Sequence, residues 1–137
     1  EAALLDHLQQ FLLELGKGFC FEYRQKRILI DNEYYRIDLV FYHRLLKCHV
    51  LIDLKVGKFD HGDASQMNVY LNYFREHEMS ENDNPPIGII LCTDKGHSLV
   101  KFATTGIDNL LFVSKYKIAL PSEKELKKFI EEDQKRL

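Results

Sequence analysis

Two apolar runs in this chain each carry a carboxylate where a buried strand normally carries none. They read Arg36-Ile37-Asp38-Leu39-Val40 and Leu51-Ile52-Asp53-Leu54-Lys55. Short runs of aliphatic and β-branched residues predict strands, here Tyr34 to His43 and Cys48 to Val56. Only Arg44 to Lys47 separates them, and so short a connection forces antiparallel neighbours. Strand side chains alternate faces. His49, Leu51, Asp53 and Lys55 therefore share one face, and Arg36, Asp38, Val40 and Tyr42 share one. A turn centred on Leu45-Leu46 puts Asp38 opposite Asp53 and Arg36 opposite Lys55. A slip of one residue would send Asp38 to the other face.

Two carboxylates placed opposite each other repel, and burying either is costly. A hard divalent cation such as Mg²⁺ held by both removes that cost. The backbone carbonyl of Leu54 lies between the two functional side chains and is a natural third oxygen ligand. Lys55 shares the face of Asp53, where its ammonium could orient an attacking water or stabilise charge developing on phosphorus. The competing reading is plain cross-strand ion pairing of the aspartates with Arg36, Lys55 or Arg27.

The rest of the chain predicts α/β architecture in the order α-βββ-α-β-α-β-α. Leu4, Leu5, Leu8, Phe11, Leu12 and Leu15 form one helical stripe over Ala2 to Leu15, stopped by Gly16 and Gly18. Cys20 to Ile30 is a strand, turned at Asp31-Asn32-Glu33 into the next. Met67, Tyr70, Leu71 and Phe74 mark a helix over His61 to Glu78. Ile87 to Cys92 is a short continuous apolar run, which suits a strand buried on both faces. A short helix over Ser98 to Thr104, a strand over Leu110 to Ile118 and a last helix opened by Pro121-Ser122 complete the order, with Ser122 and Glu125 in capping-box spacing.

The chain has 137 residues, enough for one domain with a real core. No apolar run approaches a membrane span. A net charge of −2 argues against bulk electrostatic coating of nucleic acid, though not against an acidic metal site that acts on it. Cys20, Cys48 and Cys92 are odd in number and lack C-x-x-C spacing, so neither structural zinc nor a disulfide framework is expected, and a reducing cytoplasm fits. There is no Ser-His-Asp order and no phosphate-cradling glycine loop, which disfavours a serine hydrolase or a P-loop NTPase. The start at Glu1 rather than Met suggests a fragment of a longer protein.

With these residues in view, the chain resembles the PD-(D/E)XK nuclease superfamily, whose fold is restriction-endonuclease-like. It resembles most the C-terminal domain of YhcG-like bacterial proteins. The stretches that carry the likeness are Leu12 to Phe19, Ile37 to His43, Asp53 to Phe59, Gln66 to Asn72 and Pro86 to Cys92. The resemblance implies a mixed sheet flanked by helices, Mg²⁺ (or Mn²⁺ in its place) as cofactor, and phosphodiester hydrolysis in DNA. It implies that Asp38 and Asp53 are metal ligands, that Lys55 is the catalytic lysine, that Glu14 completes the metal site and that Gln66 supports the lysine or a metal-bound water. The superfamily more often has Glu where Asp53 stands, one methylene longer. Full-length relatives carry a further N-terminal domain.

Arg24, Gln25, Lys58 and Tyr70 are candidate substrate contacts, each with a competing structural reading. Arg24 and Gln25 sit on the first strand with Arg27, Lys58 follows the catalytic strand, and Tyr70 shares a helical face with Gln66 and Tyr73. His61 and Asp63, at the predicted helix start, could reach the same site. A metal-dependent DNA endonuclease is the expectation, and a homodimer would supply the two active sites that cutting both strands at once requires. The alternative is a catalytically inactive module of the same fold, kept for DNA binding or dimerisation.

Overall fold

The short connections produce a meander as the alternating runs require. The computed structural model describes residues 5–6, 9–10 and 18–115. Strands β1 (Phe19–Ile30), β2 (Glu33–His43) and β3 (Cys48–Lys58) pair antiparallel in sequence order. Helix α1 (His61–His77) and helix α2 (His97–Thr104) then carry the chain to β4 (Ile87–Asp94) and β5 (Leu110–Lys115), which join parallel. The result is one five-stranded mixed sheet in the order β1-β2-β3-β4-β5. The expected helices over Ala2–Leu15 and from Pro121 onward, and the end of the last strand beyond residue 115, lie outside the described residues, apart from residues 5, 6, 9 and 10.

Each face of the sheet has its own apolar layer. Leu39, Phe41, Val50, Ile52 and Leu91 pack on one side with Leu5. Val40, Leu51, Ile90, Cys92 and Val113 pack on the other against Ala64, Met67, Tyr70, Leu71 and Phe74 of α1. Those helical residues recur at three- and four-residue spacing, so one stripe is buried. Asp60 caps the helix, accepting from the His61 N–H at 2.8 Å, while Asp63 accepts from the Asp60 N–H at 2.9 Å. The helix lies close over Gly88, where a Cβ would stand 2.7 Å from Met67 Cγ. β4 is buried on both faces through Cys92 apart from half-buried Ile89, as its continuous apolar run requires.

The β2–β3 register is the one the turn dictates: His43 pairs with Cys48, Tyr42 with His49 and Leu39 with Ile52. The ladder stops there. The expected pairing of Arg36 with Lys55 is not formed, because the strands part after Leu39, and Arg36 instead faces Arg27 on β1. Alternation also breaks at this point. Ile37 and Val40 enter the same core layer, whereas an unbroken strand sends them to opposite faces. Gln25, which lies across from Asp38 between the Arg24–Leu39 and Lys26–Ile37 pairs, adopts φ +50°. A left-handed residue in mid-strand turns β1 at the level where the β2 alternation reverses.

Candidate active site

Where β2 and β3 part, backbone N–H groups lose their ladder partners, and buried N–H groups must find others. The two aspartates supply them reciprocally. Asp53 Oδ1 accepts from the Asp38 N–H at 3.0 Å, and Asp38 Oδ2 accepts from the Leu54 N–H at 2.8 Å. Each carboxylate thus braces the opposite strand, and both are half-buried. No ion pair joins Asp53 to an arginine or lysine among the described residues, so simple cross-strand pairing does not describe it.

This arrangement is electrostatically unfavourable as it stands. Burial first, and then the charges of Asp38 and Asp63, push Asp53 up to about 7, against the downward pull of the Asp38 N–H hydrogen bond. Tyr70 is fully buried beside the pair, and its hydroxyl is raised by burial and by the Asp53 and Asp38 charges, with a Gln66 hydrogen bond acting the other way. Lys55 Nζ lies 3.5 Å from Asp63 Oδ1, with its side chain 40% exposed. Asp63 therefore does two things: it closes the cap of α1 and it holds the lysine.

These groups line one open cleft of about 360 Å³ with Gln25, Tyr34, Tyr35, Arg36, Leu54, Gln66 and Ile90. Among the described residues no three His, Cys, Asp or Glu side chains converge into a ready-made cage. The donor set is instead two carboxylates and a carbonyl. A strand residue's N–H and C=O point the same way, so the Leu54 carbonyl faces β2 as its N–H does. Two carboxylates with room for water and a phosphate suit Mg²⁺, which keeps part of its hydration shell, and a cation there would relieve the repulsion that raises Asp53.

The YhcG PDDEXK nuclease domain profile matches residues 1–131. This chain belongs to that family. The YhcG protein of Escherichia coli (strain K12) is 50% identical over 126 residues, which is 92% of this chain and 34% of that protein's length. Among solved structures, a repair endonuclease from Pyrococcus abyssi superposes with a TM-score of 0.58 at 20% identity, over 83% of this chain and 46% of that one. An EndoMS–double-stranded DNA complex superposes with a TM-score of 0.51 at 17% identity, over 83% and 45%. At such identities the likeness is one of fold, and it shows the restriction-endonuclease-like α/β core.

Within this YhcG-type nuclease domain, the structure brings Asp38, Asp53, Leu54, Lys55, Gln66, Tyr70 and Gln25 to one cleft. It places two other candidates elsewhere. Arg24 forms an ion pair with Asp6 and does not line the cleft. Lys58 is exposed at the far end of β3, across from Asp94. Glu14 lies outside the described residues. Tyr73 turns from the cleft toward Phe74 and His77, and His61 pairs with Asp60 at the helix start. Sequence reasoning passed over Tyr34 and Tyr35. Both follow the β1–β2 turn directly, and an aromatic pair beside a tight turn next to an acidic strand was the available signal.

Proposed function

We propose that this domain is a metal-dependent DNA endonuclease that hydrolyses phosphodiester bonds. The observation that carries the reading is the reciprocal Asp38–Asp53 brace, with Asp53 pushed up to about 7 and Lys55 beside it in an open cleft. A carboxylate perturbed by burial and by a specific charge partner, sitting in a cleft, is a functional-site candidate. Asp38, Asp53 and the Leu54 carbonyl would hold Mg²⁺ or Mn²⁺, with Glu14 completing the set as the family resemblance implies. A cation held there would supply Lewis-acid chemistry, polarising the scissile phosphate and activating water for attack. Lys55 would orient the attacking water and stabilise the negative charge that grows on the phosphoryl oxygens. Asp63 keeps the ammonium in place, and Gln66, which lines the same cleft, would support the lysine or the attacking water as the family resemblance implies. The EndoMS relative bound to double-stranded DNA supports DNA as the polymer.

The test is cleavage of supercoiled, linear, single-stranded and branched DNA with Mg²⁺ or Mn²⁺, comparing wild type with Lys55→Ala and Asp53→Ala. Each variant is expected to lose about 100-fold or more. Metal-stimulated cleavage that survives Asp53→Ala overturns the assignment. An inactive module of the same fold would instead show no metal-stimulated cleavage in any of the three proteins.

A further inference from the structure

Past Asp38 the β1–β2 hairpin continues without β3. Its pairs run outward from Lys26–Ile37 to Ile30–Glu33, while the β2–β3 ladder ends at Leu39–Ile52. The result is a two-stranded arm closed by Asp31 and Asn32, both at positive φ (50° and 66°), as two-residue hairpin turns favour. One face of the arm sends Ile28, Tyr35 and Ile37 into the core layer under α1.

The opposite face is unusual. Arg27 and Arg36 are direct cross-strand partners, and Leu29 partners Tyr34 beside them. Alternation puts all four side chains on this face. Like charges directly opposite each other destabilise a strand pair. No ion pair relieves either arginine among the described residues. Tyr34 is 64% exposed and Leu29 49% exposed. The Arg27 guanidinium carbon lies 4.6 Å from the centre of this largely exposed Tyr34 ring. Tyr34 and Arg36 line the same cleft as Asp38, Asp53 and Lys55.

Two guanidinium groups with no ion pair among the described residues, beside an exposed aromatic ring, are a poor surface for the free protein and a good one for a particular ligand. Single-stranded nucleic acid alternates anionic phosphates with flat base faces, and binds where cations track the backbone and aromatics stack the bases. In a duplex the base faces are already stacked and out of reach. We infer that Tyr34, with Arg27 and Arg36, stacks an unpaired base beside the phosphate held in the Asp38–Asp53 cleft. The substrate class is then DNA with single-stranded character at the cut, such as flaps, gaps and branch points. This rests on the phosphodiesterase reading of the cleft for its cleavage step, but not for its binding step.

The two steps can be tested apart. Anisotropy of a labelled single-stranded oligonucleotide and of a duplex of equal length, both in EDTA, reads binding without cleavage. Tyr34→Ala is expected to weaken single-strand binding about 5-fold or more, while Tyr34→Phe, which keeps the ring, binds as wild type does. Duplex binding should change less than 2-fold by this stacking argument, since no base face is offered. Arg27→Ala with Arg36→Ala should lower the salt dependence of single-strand binding. Equal losses on both polymers, no loss with Tyr34→Ala, or wild type that binds duplex as tightly as single strand each overturn the inference. Wild type that cleaves DNA with Mg²⁺ while Tyr34→Ala keeps the same substrate ranking sinks this inference and leaves the nuclease reading standing. Tyr34-dependent single-strand binding without cleavage of any substrate does the reverse.

Discussion

The two ends of the β2–β3 hairpin each hold a cluster of polar side chains, and the two clusters are built on opposite principles. Near the turn, His49 is 7% exposed, with Nδ1 2.8 Å from Glu22 Oε1 and Nε2 3.3 Å from the Glu78 carbonyl. The Tyr42 hydroxyl donates to Asp83 Oδ1 at 2.6 Å, the Ser80 N–H donates to Asp83 Oδ2 at 2.8 Å, and Lys26 reaches Glu78 at 3.1 Å. Every acid there has a donor or a cation. The Tyr42 hydrogen bond and the Ser80 N–H hold Asp83 below the usual carboxylate range, while Tyr42, bonded to that anion, is pushed up to about 12. At the other end Asp53 goes up instead, to about 7. A buried polar cluster that satisfies itself serves stability, and one that leaves a charge wanting a partner is a site for a ligand.

The hardest test of this contrast is His49→Ala. It removes the group that Glu22, Asp83 and two rings pack against, Tyr42 at 5.1 Å and Phe74 at 5.3 Å between ring centres. Denaturant unfolding should show a loss of about 2–4 kcal/mol from the lost packing and hydrogen bonds, with cleavage per folded molecule unchanged. A variant that stays stable but loses activity would exchange the roles of the two ends.

Asp53→Asn should act in the opposite sense. It keeps the oxygen that accepts from the Asp38 N–H but removes the charge. Because the folded Asp53 holds its proton more tightly than the unfolded chain does, its contribution to stability is whole below the ordinary carboxylate pKa and is lost as pH rises through about 7. In EDTA the wild-type melting temperature should therefore fall from pH 5 to pH 8. Asp53→Asn should flatten that fall and gain on the order of 2–4 kcal/mol at pH 8. Mg²⁺ should raise the melting temperature of wild type alone. A flat wild-type profile would remove the contrast.

Tyr42→Phe should cost about 1 kcal/mol at neutral pH by deleting one hydrogen bond to Asp83. Asp83 is depressed, so its contribution is present above the ordinary carboxylate pKa and disappears as pH falls through the lowered value. The difference between Tyr42→Phe and wild type should shrink in acid accordingly. Asp63→Asn is expected to have the smallest effect on stability, roughly 0.5 kcal/mol through the helix cap, with cleavage slowed about 10-fold because Lys55 loses its anchor. If the melting temperature drops while the rate holds, Asp63 belongs to the helix alone.

Much of this was legible in the residue order. Helix α1 was expected over His61 to Glu78 and ends at His77, with β4 and α2 extended by only one or two residues at their ends. The acidic pair and Lys55 stand out because charge interrupts apolar runs at matching positions. The reach of Asp63 to Lys55 was harder to see, since it depends on where the cap of α1 sits over β3. Gln25 gave no sign of its left-handed backbone, because glutamine has no special liking for that region. The Arg27–Tyr34–Arg36 face needed the true register of β1 on β2, which bulges at Phe21–Tyr23 and turns again at Gln25.

By itself the sequence determined the elements between Phe19 and Lys115, the meander, the register through the Leu45-Leu46 turn and the meeting of Asp38 with Asp53. These follow from two-residue alternation and the length of one connection, which are local quantities. Only the tertiary structure decided that the strands part at the aspartates, that each carboxylate then takes the other strand's backbone N–H, and that Arg36 and an exposed tyrosine end up on the wall of the same cleft. Those outcomes depend on sheet twist, on a helix seated over Gly88 and on the competition between ladder and side-chain acceptors for the same N–H groups, and each of these is set by residues far apart in the chain.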